Sequence, residues 1–169
     1  MKFRTEIPVA QSGVKISLKS RVLSLGSCFA ENMGQKLLDN KFNISHFQGQ
    51  ASPLGTVFNP ISIAKSLGWL AGEQELQDNH FAQTPTGWKH LDFHSGFFAS
   101  SKQELGNRLA ELKDCIDFKK QPPDILIVTL GTAWVYVWKD SGEIVANCHK
   151  IPNKEFEKRL LGVEEIVTA

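Results

Sequence analysis

The sequence predicts one α/β domain with a parallel or mixed sheet and helices on both of its faces. Strand-like and helix-like segments alternate along the 169 residues, an order that favours βα units. The run 124–130 is apolar at nearly every position, which is typical of a central parallel strand. Helix-start signals stand at Asn59-Pro60 and at Ser101. The length suits a single domain, and we assign 1–169 to it.

The composition is that of a folded protein without a strong charge bias. Hydrophobic residues make up 41% and charged residues 22% of the chain, which argues against disorder. Nineteen basic and eighteen acidic residues give a net charge of +1, so a nucleic-acid partner is not expected. Eleven Phe and four Trp provide enough apolar volume for a core.

The cysteines and the N-terminus indicate a reducing compartment. Cys28, Cys115 and Cys148 are too few and too scattered for a disulfide framework, and no C-x-x-C pair suggests zinc. Residues 1–6 contain no apolar signal segment, and the run 125–138 is too short to span a membrane. Glycine-rich phosphate loops are absent from the sequence. We therefore expect a cytoplasmic protein with free thiols, no metal, no cofactor and no membrane partner.

The first half of the chain starts with a clear strand and helix. Residues 21–25 form an apolar strand that ends at Gly26. The next segment has the helical spacing of apolar residues Phe29, Met33, Leu37 and Leu38. A short extended piece, 42–47, precedes a helix that begins at Asn59-Pro60 and ends at Gly72. Its predicted apolar stripe consists of Ile61, Ala64, Leu67 and Leu70.

The second half mixes short strands with two further helices. Residues 73–99 suggest short extended segments, and a capping box at 101–104 predicts a helix with Leu105, Leu109, Leu112 and Ile116 on its apolar face. The strand 124–130 is followed by a predicted hairpin, 135–138 with 143–146. A last helix is predicted from Asn153, with Phe156, Leu160, Val163 and Val167 on one side. It has no stop signal before Ala169, and we interpret this as truncation inside a larger domain.

The sharpest chemical feature is Gly26-Ser27-Cys28, where the first strand turns into the first helix. A hydroxyl and a thiol there lie at a helix N-terminus, whose unpaired N–H groups can stabilise a thiolate or an oxyanion. A structural alternative is that Ser27 caps the helix and Cys28 is a small buried residue. Spacing alone leaves both interpretations open.

Five spaced blocks resemble the motifs of the GSCFA family. They are 23–32, 53–60, 92–95, 129–136 and 147–150. That family is regarded as a distant branch of the SGNH (GDSL) hydrolase superfamily, which contains esterases, lipases and carbohydrate acyl-hydrolases or acyltransferases. The resemblance implies a three-layer, flavodoxin-like α/β fold with a mostly parallel sheet and the hairpin as an excursion.

The resemblance also assigns roles at and around the bend. The superfamily's Gly-Asp-Ser block falls on Gly26-Ser27-Cys28, which makes Cys28 the nucleophile, or Ser27 if the block is shifted by one residue. The second-block glycine, an oxyanion donor, falls on Gly55.

The third superfamily block falls on Gly131-Thr132-Ala133-Trp134, so the usual oxyanion Asn is replaced by Ala133. Thr132 can substitute through its hydroxyl or its backbone. The fourth block, an Asp and a His, has no counterpart in this chain, and we expect it beyond Ala169.

The general base is expected to be a histidine. Of the five histidines, His94 and His149 lie in family blocks and are the preferred candidates, as a base or as substrate-binding residues. Asp92 is the expected neighbour of His94, two residues away along an extended segment. Trp134, Tyr136 and Trp138 alternate along the hairpin and can either stack on a sugar or serve packing.

Together these features predict an SGNH-like acyl-ester hydrolase or acyltransferase. Its expected partner is a small-molecule or carbohydrate ester. The alternative is a non-catalytic protein that binds a carbohydrate or another ligand on the same fold. Ala133 and the missing Asp-His block favour that alternative.

Overall fold

The computed structural model describes residues 7, 8, 10–116 and 118–169. Within them the chain is a mixed α/β structure with four helices and three small sheets. A two-stranded parallel sheet joins β1 (Val22–Gly26) to β5 (Ile125–Thr129), with Leu23 opposite Leu126 in the register. The pairing is parallel, as expected for the predicted parallel or mixed sheet.

Strand β1 is buried on both faces. On one side Val22 packs with Ile44 and Ala51 beneath helix α1 (Cys28–Asp39). On the other side Leu23 and Leu25 enter the main core, which also contains residues of α2 (Pro60–Ala71) and α3 (Lys102–Cys115). This double burial fixes the end of β1 between helices, and the end of β1 carries the candidate site.

Strand β5 differs from the prediction of a central strand. Leu126 and Val128 are 43% and 41% exposed, and among the described strands β5 pairs with β1 alone. The apolar run correctly located a strand, but it did not reveal whether both faces are covered. The parallel sheet has two strands, so the larger three-layer arrangement is not shown.

The two helix starts expected from the sequence are confirmed. Asn59 caps α2 by accepting from the Ser62 N–H at 2.8 Å, and Gly72 ends it in the left-handed region. Ser101 caps α3 by accepting from the Glu104 N–H at 3.1 Å. The apolar face of α3 is buried as predicted, through Leu105, Leu109, Leu112 and Ile116.

The apolar faces of α1 and α2 were predicted less well. Phe29 and Met33 are exposed, and the residues of α1 that are buried are Ala30 and Gly34. Gly34 lets the helix approach Ala51, because a Cβ there would lie 3.2 Å from the Ala51 Cβ. In α2 the predicted stripe is confirmed at Leu70, but the rest of the buried face is turned from it and carries Ser62, Ile63, Ser66 and Trp69.

Two antiparallel sheets complete the structure. The first has the order β2-β3-β4, from Phe81–Thr84, Gly87–His90 and Phe98–Ala99. The second has the order β7-β6-β8, from Glu143–Val145, Trp134–Trp138 and Phe156–Leu160. The predicted hairpin, now β6 and β7, is confirmed.

The predicted last helix is wrong. Residues 156–160 form β8, which pairs with β6 so that Trp138 lies opposite Phe156 and Trp134 lies opposite Leu160. Phe156 packs on Trp138 with ring centroids 4.9 Å apart. The edge of β6 satisfies the backbone of this segment better than an isolated helix could. Asn153–Glu155 forms a single 3-10 turn, and the only α-helical part of this described segment is Val163–Val167, named α4. No helix in the described ranges combines the length and apolarity required to cross a bilayer.

Candidate functional site

The turn from β1 into α1 requires glycine at position 26. Gly26 has a φ of +130°, and a Cβ atom there would lie 2.1 Å from the carbonyl oxygen of Thr129. The Ser27 N–H donates to that same carbonyl at 3.0 Å. An L side chain would collide with the acceptor that holds the turn. The bend, Gly26-Ser27-Cys28, is therefore fastened to the end of β5.

Ser27 and Cys28 have different environments at the start of α1. Ser27 is the N-cap: its Oγ accepts from the Phe29 N–H at 3.3 Å and lies 3.0 Å from Thr129 Oγ1. Cys28 is the first helical residue, exposed and without a disulfide. The structural alternative is thus right about the capping role of Ser27 and wrong about the burial of Cys28.

The loop that carries Gly55 lies directly against the bend. Gly26 forms a parallel bridge with Thr56, and the Val57 N–H donates to the Gly26 carbonyl at 2.8 Å. Gly55 itself has a φ of +70°, and a Cβ there would lie 2.4 Å from the Cβ of His94. Glycine at this position lets His94 pack onto the loop that borders the bend.

The loop that carries Gly131 reaches the bend from the other strand. A Cβ on Gly131 would lie 3.4 Å from the Ser27 Cβ and 2.8 Å from the Phe58 ring. The loops of Gly55 and Gly131 are also joined to each other, since the N–H groups of Gly131 and Thr132 both donate to the Phe58 carbonyl, at 2.8 and 3.1 Å. Residues far apart in sequence thus meet around the bend.

Most backbone N–H groups that were expected to bind an oxyanion already donate hydrogen bonds to carbonyl groups of the protein. The Gly55 N–H donates to the Ser52 carbonyl at 2.8 Å, and Gly131 and Thr132 use theirs on Phe58. The hydroxyl of Thr132 accepts from the Trp134 N–H at 3.0 Å, which leaves its own proton available as a donor. In the described chain no acceptor is found for the Cys28 N–H, as is usual in the first turn of a helix.

The two preferred histidines lie on two separate segments, His94 after β3 and His149 after β7. His94 is partly exposed, and its Nδ1 accepts from the Gly96 N–H at 3.3 Å. His149 is buried, with Nε2 2.8 Å from the His90 carbonyl and Nδ1 3.5 Å from Ser95 Oγ. Burial lowers the pKa of His149. Neither ring is hydrogen-bonded to Ser27 or Cys28, so a base role for either stays a prediction.

The alternating aromatic residues of β6, which we call the aromatic ladder, are Trp134, Tyr136 and Trp138, and they are partly exposed to solvent. Trp134 is 49% and Tyr136 38% exposed. The Lys158 ammonium lies 4.7 Å from the Trp134 ring centroid and 6.0 Å from that of Tyr136. One face of this ladder therefore already has a cation–π partner. Trp138 is the packing member, against Phe156.

A model of the GSCFA family matches residues 21–169. The chain belongs to the GSCFA family. No curated protein and no solved structure gives a significant match to it.

In this GSCFA chain the structure shows a second polar cluster that the sequence analysis missed. His80 Nδ1 lies 2.8 Å from Asp92 Oδ2, and His80 Nε2 lies 3.1 Å from Ser141 Oγ. We call Ser141, His80 and Asp92 the buried relay. Asp92 was expected to accompany His94, but it pairs with His80, because the Leu91 N–H donates to the His80 carbonyl and brings these segments together.

The buried relay has the connectivity of a nucleophile, a base and an orienting carboxylate. Its accessibility is wrong for that role, because His80 is completely buried and Ser141 Oγ also accepts from the Glu143 N–H at 3.2 Å. A base that transfers protons to a substrate must be within its reach. The relay instead connects the β6–β7 turn to the segments of His80 and Asp92.

Another buried histidine lies next to the relay. His90 is fully buried; its Nδ1 accepts from the Asp92 N–H at 3.2 Å and its Nε2 faces the Gln77 carbonyl at 3.3 Å. Burial lowers the pKa of His90 to about 4. Despite this concentration of imidazoles and carboxylates, the described residues contain no group of three His, Cys, Asp or Glu side chains placed to hold a metal ion.

Proposed function

We propose that this GSCFA protein is an acyl-ester hydrolase or acyltransferase whose nucleophile is the Cys28 thiol. The observation that carries the proposal is the convergence of the Gly55 and Gly131 loops on a bend that presents an exposed thiol at a helix N-terminus. Ser27 is the less suitable nucleophile because its Oγ serves the helix cap and Thr129. A distant relationship to the SGNH superfamily is part of the same proposal.

The proposed reaction begins when the Cys28 thiol gives its proton to a histidine and its sulfur attacks the ester carbonyl carbon; the same proton later goes to the leaving alcohol. The carbonyl π electrons move to oxygen, and the oxyanion accepts hydrogen bonds from the Cys28 N–H and the Thr132 hydroxyl. Collapse expels the alcohol, which takes up a proton, and leaves a thioester on Cys28. Water then releases a carboxylic acid, or an acceptor alcohol takes the acyl group. His94, packed on Gly55, is the preferred proton carrier, and His149 is the second candidate.

The decisive experiment is hydrolysis of p-nitrophenyl acetate by the full chain and three variants. We expect a burst of p-nitrophenolate that Cys28→Ala abolishes. Cys115→Ala is the matched control, because Cys115 is also an exposed, free cysteine at a helix end. Ser27→Ala should keep the burst. Turnover that survives Cys28→Ala would rule out this nucleophile.

Thiol labelling gives an independent test without an ester. Cys28 begins α1, beside the unpaired N–H groups of the helix, whereas Cys115 ends α3, beside its last carbonyl groups. Burial raises the pKa of Cys148 to about 11. Iodoacetamide should therefore alkylate Cys28 first, Cys115 next and Cys148 last. Equal rates at Cys28 and Cys115 would contradict an activated thiol.

The second candidate is a non-catalytic ligand-binding protein at the same bend. It is favoured by Ala133 at the position of the oxyanion Asn, and by the engaged amides of Gly55, Gly131 and Thr132. This candidate predicts no burst with any acyl ester. It would then be tested by whether acylated sugars protect Cys28 from iodoacetamide.

A further inference from the structure

An apolar groove of about 540 Å³ lies between helix α2 and strand β5. Its volume is within the usual range of ligand sites, roughly 300–1,000 Å³. On the β5 side the lining residues Leu126, Val128 and Leu130 are all exposed, so a ligand can touch them. The other walls include four partly exposed apolar residues of α2, α4 and the segment after α3, namely Ala64, Leu67, Phe118 and Ile166. The groove therefore presents accessible hydrocarbon surface.

The groove has little polar character. Of the described residues that line it, only Glu73 and Gln74 carry a polar side chain, and both follow the end of α2. A sugar or a charged group would lose its hydration there and gain few partners, whereas a hydrocarbon chain gains from leaving water. The lining thus selects an apolar ligand.

One end of the groove adjoins the bend. Leu130 lines the groove and precedes Gly131, whose N–H donates to the Phe58 carbonyl at 2.8 Å. The exposed Phe58 ring and the Ser27 Cβ lie 2.8 and 3.4 Å from the same point, the position of a Cβ atom on Gly131. Phe58 therefore continues the apolar surface from the groove to Ser27 and the neighbouring Cys28.

From that end the groove follows β5 away from the bend. Leu130, Val128 and Leu126 line it in succession, because alternate residues of a strand share one face. From Leu130 to Leu126 this row extends about 13 Å, at roughly 3.3 Å per residue. A group attached at Cys28 must be long and linear to use such a surface, and a straight hydrocarbon chain has that shape.

We propose that the groove binds the acyl chain of the substrate, and that this chain is a linear hydrocarbon of medium length. The inference rests on the proposed reaction at Cys28. The chain leaves the carbonyl carbon at Cys28, crosses the Phe58 ring and lies along Leu130 and Val128. Specificity then depends on the acyl part of the ester, and an acetyl ester is a poorer substrate than a medium-chain one.

The first test compares p-nitrophenyl octanoate with p-nitrophenyl acetate as substrates of the full chain, below the micellar concentration of the octanoate. Burial of one methylene is worth up to roughly fourfold in affinity, so we expect kcat/KM to be at least about tenfold higher for the octanoate. Leu130→Glu places a charge in the groove and should reduce this ratio to about one.

Leu18→Glu is the matched control for Leu130→Glu. Leu18 is 59% exposed and Leu130 is 56% exposed. Leu18 does not line the groove, and it precedes β1 at the end away from the bend. The Leu18→Glu protein should keep the wild-type ratio. Circular dichroism checks that both variants are folded, and Ala64→Trp, which fills the groove from α2, replaces Leu130→Glu if that protein does not fold.

The second test needs no ester hydrolysis. N-octylmaleimide and N-methylmaleimide alkylate thiols by the same reaction and differ in their hydrocarbon chain. We expect the octyl reagent to label Cys28 at least about fivefold faster than the methyl reagent, after division by the same ratio at Cys115. Leu130→Glu should remove this preference.

Together the tests distinguish failure of this inference from failure of the proposed function. Turnover of both esters without a preference for the octanoate overturns the acyl-chain groove and leaves the hydrolase proposal. Absence of turnover with a preference for N-octylmaleimide at Cys28 supports the groove and contradicts the hydrolase. Unchanged ratios in Leu130→Glu overturn the inference. So does a dimer in size-exclusion chromatography that Leu130→Glu converts to a monomer, because a second copy then occupies the groove.

Discussion

The bend and the buried relay each have some of the features of an acyl-transfer site, and neither has all of them. At the bend an exposed thiol lies at a helix N-terminus, and no imidazole is hydrogen-bonded to it. In the relay a histidine connects a hydroxyl to a carboxylate, but the histidine is sealed from solvent. Hydrogen-bond connectivity alone therefore does not identify a reactive site, because access to substrate is an equal requirement. The bend carries the residue proposed for the chemistry, whereas the residues of the relay are expected to stabilise the fold.

The largest expected effect is on stability, from His80→Ala. The substitution leaves the ionised Asp92 carboxylate buried without its donor and opens a cavity. We expect a loss of about 3–5 kcal/mol in the free energy of unfolding. Urea denaturation measures it. Ser141→Ala, which removes only the outer hydroxyl of the relay, should cost about 1 kcal/mol. Similar losses for both variants would show that the relay does not stabilise as described.

At the bend, Gly26→Ala should cost about 3 kcal/mol. The new Cβ would meet the Thr129 carbonyl oxygen at 2.1 Å, in a backbone region that L residues avoid. Gly106→Ala is the matched control: it lies inside α3, nothing lies within 4 Å of the new Cβ, and a gain of about 0.5–1 kcal/mol is expected. A neutral Gly26→Ala would mean that the turn is not fixed to β5.

Acid should weaken the region around the relay through His90. Its folded-state pKa of about 4 lies below the ordinary 6.5, so the unfolded chain binds the extra proton first as the pH falls. The contribution of His90 to the free energy of unfolding is present above about pH 6.5 and decreases as the pH falls toward 4. Integration gives a loss of about 2 kcal/mol between pH 7 and pH 5.

Urea denaturation across this pH range measures that loss. His90→Gln should flatten the pH dependence, while His46→Gln, at an exposed histidine, should not. An unchanged slope in His90→Gln would assign the acid sensitivity to another group.

The smallest of the four effects is that of Ser27→Ala on stability. Removing the N-cap oxygen of α1 should cost about 1 kcal/mol, measured by thermal or urea unfolding. Because Cys28 is the proposed nucleophile, the acetate burst should survive at a similar amplitude. Loss of the burst with unchanged stability would transfer the nucleophilic role to Ser27.

The bend was the part of the site most accessible to sequence reasoning. A short apolar strand, a glycine and a capping serine are local signals, and local backbone preferences decide such turns. The helix caps Asn59 and Ser101 were predictable for the same reason. The relay was not, because residues 80, 92 and 141 carry no joint sequence pattern and meet only through the pairing of separate segments.

The error at residues 153–169 has a related cause. Phe156, Leu160, Val163 and Val167 fit a helical spacing, but a free edge on β6 was available to pair with residues 156–160. Short apolar segments are ambiguous between helix and strand, and a neighbouring strand resolves the ambiguity.

The sequence by itself determined where the chain turns, where the helices α2 and α3 start, and that a thiol and a hydroxyl stand at the first strand-to-helix turn. The tertiary structure decided which of these groups is exposed, which histidine pairs with Asp92, and that the glycine loops meet at the bend. The physical reason is that caps and turns depend on neighbours in the chain, whereas burial and long-range hydrogen bonds depend on segments brought together by packing.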